Sequence, residues 1–120
     1  MHLLGWRADT GALLAAADML VCPSRHEPLG NVVIEAWSAR RPVVAASAEG
    51  PGELIVSGED GLLVAIENPM VLAAAVHHVL DDPVHADAMA AAGRRRFEAE
   101  FAESPVVAQW RAFLHGLEKA

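Results

Sequence analysis

MLVCPSRHEPLGNVVIEAWSARRPVVAAS, residues 19–47, contains two continuous apolar runs separated by a polar loop and an amphipathic segment. "MLVCPS" (19–24) is unbroken up to Pro23 and lacks the alternation of a half-solvated strand, which suits a strand buried on both faces. "NVVIEAWSAR" (31–40) puts Val33, Ala36 and Trp37 on one helical face, with Asn31, Glu35 and Ser38 on a ridge at i, i+4, i+7. "PVVAAS" (42–47) is a second buried run, and Pro42 is tolerated as its first residue. Strand, crossover helix, strand is the unit of a parallel sheet, which needs helices on both faces.

Outward from this unit the alternation continues. "HLLGW" (2–6) reads as a short strand ended by glycine. "DTGALLAAADM" (9–19) reads as a helix, with Leu13, Leu14 and Ala17 at helical spacing behind an Asp9 or Thr10 cap. "GPGELI" (50–55) opens a helical turn, "GEDG" (58–61) is turn chemistry, and "LLVAI" (62–66) is a further strand. From Asn68 onward the pattern is helical, with three starts that pair a capping residue with proline: Asn68–Pro69, Asp82–Pro83 and Ser104–Pro105. The expected fold is α/β: one domain over residues 1–120, a partial Rossmann-like parallel sheet of about four strands, and a helical part over 68–120.

Composition bounds what such a fold can do. With 53% hydrophobic residues, 120 residues suffice for one real core. Sixteen acidic residues against nine basic give a net charge of −7, which argues against a nucleic-acid groove. An anionic ligand must therefore be held by local groups. Cys22 is the one cysteine, so no disulfide forms within the chain and a reducing compartment, the cytoplasm, is expected. The start lacks the pattern of an export signal, and no apolar run is long enough to span a bilayer.

In open parallel sheets, ligands bind outside the carboxyl ends of the strands. The informative loops are therefore those after Ser24 and after Ser47. The glycine of "EPLGN" allows close backbone approach, and a helix beginning near Leu29 or Gly30 offers its first N–H groups to the same loop. Such an end binds anions, phosphate above all. Glu27 lies before that start, and Glu35 lies about 7.5 Å along the axis beyond it. Ionised carboxylates accept hydrogen bonds from vicinal hydroxyls, so sugar, diphosphate and ribose match the order Glu27, amides, Glu35. The competing reading makes Glu35 a solvent-facing helix residue and Glu27 a loop charge balanced by Arg25.

"SRHEPLGNVVIEAWSARRPVVAASAEGPGELI" followed by "GEDGLLV" resembles the carboxyl-terminal, nucleotide-sugar-binding domain of retaining glycosyltransferases of the GT-B class, glycosyltransferase family 4 or group 1. The resemblance runs from about Leu3 to Leu80. It rests on the ordered set S-R-x-E-P-x-G, E-A, R-P-V-V-A, G-x-x-E-L-I and G-x-D-G-L-L-V. It implies that Glu27 contacts the transferred sugar at the reacting centre as an orienting and transition-state residue rather than a nucleophile. Pro28, Leu29, Gly30 and Asn31 would line the diphosphate, and Glu35 would hold the ribose. It further implies a nucleotide diphosphate sugar as donor substrate, with no cofactor and no metal at the donor site. An amino-terminal acceptor domain would be the partner, as would two earlier strand–helix units carrying a basic pair. By this resemblance the chain is the latter part of one domain of a two-domain enzyme, and it is inactive alone. The alternatives are a non-catalytic nucleotide-sugar-binding or interaction module, or a GT-B sugar-nucleotide epimerase.

Other residues carry weaker expectations. His26 is a candidate for polarising the donor phosphate, against a plain solvated histidine. Ser24, Arg25, Ser47, Glu49 and Gly50 are candidate pocket residues, against simple turn formation. His77 and His78 are adjacent on a helix and point about 100° apart, so they make no metal pair. Arg94, Arg95 and Arg96 spread around a helix, solvated or paired with Glu98 and Glu100. Trp6, Trp37 and Trp110 read as core or interface residues. Leu3 to Gly5 is expected either to move in beside the strand at Leu20 or to leave an edge that a second copy covers. Membrane association would come only through the acceptor domain.

Overall fold

The computed structural model describes residues 1–119. Helix α1 (Thr10–Ala16) leads into β1 (Leu20–Cys22), α2 (Asn31–Ser38), β2 (Val43–Ala46), α3 (Glu49–Leu54) and β3 (Leu62–Val64). Helices α4 (Pro69–Asp81) and α5 (Pro83–Arg96), a π-helical turn (Phe97–Phe101) and α6 (Glu103–Glu118) complete the chain. The three strands are parallel in the order β1-β2-β3, with Leu20 opposite Val43 and Val44 opposite Leu62.

All four residues of the central strand β2 are buried, the reason its sequence is apolar without alternation. Its side chains still alternate in direction. Val43 and Ala45 join Cys22, Val33, Ala36, Trp37 and Ile55 on one face, whereas Val44 joins Val79, Ala86 and Met89 on the other. Cys22 is thus a core residue, as expected, but β1 is not buried on both faces: it is the sheet edge, and its Val21 is exposed.

Two of the three helix starts form as read. The Asn68 side chain accepts from Val71 N–H at 3.1 Å, and that of Asp82 accepts from His85 N–H at 3.0 Å; each cap contributes about 1 kcal/mol. The third differs: α6 starts at Glu103 behind Ala102, and Ser104 lies inside it without a capping bond. The preceding π turn, closed by Ala102 N–H donating to Phe97 O at 2.8 Å, resets the helix register. It also brings Phe101 to Trp37, with ring centroids 6.1 Å apart.

The expected strand at Leu3 does not form. Residues 1–9 lie outside the sheet, and Leu3 is 89% exposed. A strand is stabilised by its ladder, and β1 forms the sheet edge without taking residues 3–5 as a neighbour. The sheet therefore has three strands rather than four, and Leu3 to Gly5 has not moved in beside Leu20. Of the three tryptophans, Trp37 is fully buried in the core, whereas Trp6 and Trp110 are 88% and 61% exposed and take no part in it. Among the described residues, no helix is long and apolar enough to cross a membrane.

Candidate functional site

The loop after β1 reaches α2 through Gly30, which caps the helix in the left-handed region at φ 73°. The first helical residue is Asn31, one or two positions later than the sequence suggests. Glu27 fastens the loop at three points. Its carboxylate accepts from Gly30 N–H at 3.3 Å, its main-chain oxygen accepts from Gly50 N–H at 2.7 Å, and its own N–H donates to Glu49 Oε2 at 3.2 Å.

The Gly50 contact admits no side chain. A Cβ there would fall 2.4 Å from Gly30 N and 2.5 Å from Leu29 C, and one on Gly30 would meet Leu54 Cδ1 at 2.9 Å. Two glycines thus interlock the β1 loop with the start of α3. Ordinary Cβ contacts are far longer, so the close approach holds only while both positions stay bare. Glu49, the first residue of α3, completes the link with Oε1 at 3.2 Å from His26 Nδ1. Its carboxyl is held below the ordinary carboxylate range, first by its own main-chain N–H, then by the His26 ring and Glu27 N–H.

Among the described residues, the N–H groups of Asn31 and Val32 have no protein acceptor. They open the first turn of α2 where the helix dipole is positive. Asn31 and Glu35 are exposed on α2, while Val33, Ala36 and Trp37 are fully buried. The helix thus presents the polar ridge expected of it and hides the apolar face. Pro28 and Leu29 are exposed on the same loop. Arg25 does not balance Glu27; it pairs with Glu67 at 3.1 Å. This ion pair sits at a cleft of about 490 Å³ along the carboxyl ends of the strands, lined among others by Pro23, Ala46, Val64 and Asn68. Ser24, partly buried, accepts through its Oγ from the Cys22 thiol at 3.6 Å. Ser47 N–H donates to Val64 O at 2.8 Å, which ties the loop after β2 to β3. The structure therefore gathers Arg25, His26, Glu27, Gly30, Glu49 and Gly50 at one end of the sheet, with Asn31 and Glu35 on the adjoining helix.

Glu67 was not singled out by sequence reasoning. Its main chain lies at φ 57°, in the left-handed region, just before the Asn68 cap. The "ENP" string carries that turn signal but not the partnership with Arg25 across the sheet.

The other polar cluster lies at the amino end of the sheet. Arg94 and Arg96 pair with Glu98 at 2.8 Å and Glu100 at 3.1 Å, as the helix spacing suggests. Arg96 goes further, meeting buried Asp60 at 2.8 Å and lying 4.8 Å over the Trp37 ring. Partial burial opposes its charge, but the hydrogen bonds it donates to Asp60 and Glu100 outweigh that and raise its pKa.

A family model described as "Glycosyl transferases group 1" matches residues 1–82. The lipopolysaccharide core biosynthesis glycosyltransferase LpsD of Rhizobium meliloti (strain 1021) is 36% identical over 106 residues, covering 88% of this chain and 31% of that protein. A glycogen synthase of Mycobacterium tuberculosis is 43% identical over 90 residues, covering 75% of this chain and 22% of its own length. Among solved structures, Anabaena Alr3699/HepE in complex with UDP superposes with a TM-score of 0.89 at 31% identity, covering 94% of this chain and 31% of that one. The chain thus spans less than a third of the length of these relatives.

Proposed function

This chain belongs to the glycosyl transferases group 1 family and has the fold of the carboxyl-terminal domain of GT-B enzymes; from that membership we propose that it binds the nucleotide diphosphate sugar donor of a retaining hexosyltransferase. The observation that carries the reading is the unpartnered first turn of α2, held in place by the Gly30–Gly50 interlock and flanked by Glu27 and Glu35. HepE, a neighbour of high structural similarity, has been solved with UDP and with UDP-glucose, which supports a nucleotide diphosphate as the anion.

In this reading the diphosphate accepts from the amides of Leu29, Gly30 and Asn31, and Glu27 turns from Gly30 N–H to the sugar hydroxyls. As the glycosidic C–O bond breaks, charge grows on the leaving diphosphate at the positive end of the helix, so the dipole and amides act most strongly in the transition state. Glu27 orients the sugar and is not a nucleophile. Glu35 accepts from the ribose hydroxyls. His26, steadied by Glu49, is placed to donate to a phosphate oxygen. The donor site uses no metal or cofactor. The acceptor is held by the rest of the enzyme, which also makes any membrane contact, and the reaction is cytoplasmic.

Calorimetric titration with UDP-glucose, ADP-glucose and GDP-mannose tests this. Losing one hydrogen bond to a charged group costs about 1.5–3 kcal/mol, so Glu35→Ala should weaken binding about tenfold or more. Equal binding by this variant would remove Glu35 from the ribose.

A further inference from the structure

The corner between α4 and α5 gathers three metal-ligating side chains that play no part in the reading above. His78 stands in the last turn of α4, Asp82 caps α5, and His85 stands in the first turn of α5. Their spacing of four and then three residues spans the break at Pro83 and brings all three toward one another. One ligand atom from each lies within 4.8 Å of the other two. His78 Nε2 is 3.1 Å from His85 Nδ1, with the two rings meeting edge-on rather than stacked.

The tautomers follow from the neighbours. Gly58 O can only accept, so His85 Nε2, 3.0 Å away, carries the proton. In the neutral ring that leaves Nδ1 bare and facing His78. A ring nitrogen fixed to a backbone carbonyl while its partner faces inward is how metal-bound histidines are oriented. One Asp82 oxygen accepts from His85 N–H, and the other has no protein donor among the described residues.

We propose that His78, Asp82 and His85 form a site for Zn²⁺. With Zn–N bonds of about 2.0–2.1 Å, two nitrogens at the tetrahedral angle lie about 3.3 Å apart, close to the 3.1 Å between His78 and His85. The widest separation, up to 4.8 Å, exceeds that edge by about 1.5 Å, which rotation of the Asp82 and His78 side chains can close. Two imidazoles and one carboxylate suit zinc over magnesium or calcium, which prefer all-oxygen shells. Exposed His78 leaves the fourth position to water. Gly58 belongs to the turn before β3, so the metal would tie the α4–α5 corner to the amino end of the sheet, away from the α2 loop.

Equilibrium dialysis of the whole chain against zinc chloride, with Co²⁺ absorption as a second readout, tests the site. One Zn²⁺ per chain is expected, along with the visible spectrum of four-coordinate Co²⁺. Affinity should fall at least about tenfold in His85→Ala, in His78→Gln and in Asp82→Asn, and remain unchanged in His77→Ala. Asparagine caps a helix as well as aspartate, so Asp82→Asn reports on ligation without unfolding α5. Absence of stoichiometric Zn²⁺ binding would overturn the proposal. So would equal binding by His85→Ala and Asp82→Asn, or an equal loss in His77→Ala.

Discussion

Around Asp60, at the amino end of the sheet, the polar groups satisfy one another, whereas at the carboxyl end Glu35 and the first turn of α2 are left open. Asp60, 3% exposed, accepts from Val56 N–H and Arg96, while its main-chain oxygen accepts from Trp37 Nε1 at 2.9 Å. Arg94 donates to Ser38 O, and Gly93 packs its bare Cα against the Trp37 ring. The carboxyl end also relies on a bare glycine contact and a bound carboxylate, but there Glu35 and the first amides of α2 face solvent. The same devices close one end as a clamp and hold the other open for a ligand. A buried polar group is costly unless paired, so the clamp is where stability concentrates, and the exposed loop is where substitution touches binding first.

The largest effect should come from the clamp. Trp37→Ala removes its fully buried ring and should cost about 3–5 kcal/mol in denaturant unfolding. Asp60→Ala strands Arg96 and Val56 N–H. Because Arg96 is 31% exposed, solvent recovers part of the loss, leaving about 2–3 kcal/mol. Gly50→Ala crosses between the two regions. Its Cβ must push the β1 loop away, costing about 1–3 kcal/mol, and it should abolish donor binding in a fold that still unfolds cooperatively. If Gly50→Ala binds like the parent chain, the interlock does not position the site.

The smallest effect is a pH dependence. Glu49 has a lowered pKa in the folded chain, so its contribution is present above its unfolded value and lost as pH falls through the lower folded one. Glu49→Gln should lower stability slightly at neutral pH and flatten the acid side of the profile, so that the two chains converge at low pH. An unchanged acid limb would mean that its bonds to His26 and Glu27 do not persist in solution.

The comparison also separates what local sequence carries from what it does not. The unit from β1 to β2 was legible because a buried parallel strand and a crossover helix each have their own pattern. The Glu27, Gly30 and Glu35 spacing was legible because a helix start has local rules. "GEDG" reads as turn chemistry, and nothing nearby says that Asp60 is buried, since its cation lies 36 residues away. Glu49 likewise reaches back 22 residues to Glu27 N–H, a contact set by the register of α3. "HLLGW" has the composition of a strand, yet residues 3–5 take no place in the sheet. The π turn has no signature in "RRRFEAEF", where the helical spacing runs on unbroken.

Donor binding is expected at the open end of the sheet and not at the clamped end. Amide chemical shifts followed during a UDP-glucose titration test it most directly. Shifts are expected at Glu27, Leu29, Gly30, Asn31 and Glu49, with Gly58, Asp60 and Gly93 unmoved. Shifts confined to the clamp, or none at saturating donor, would contradict it.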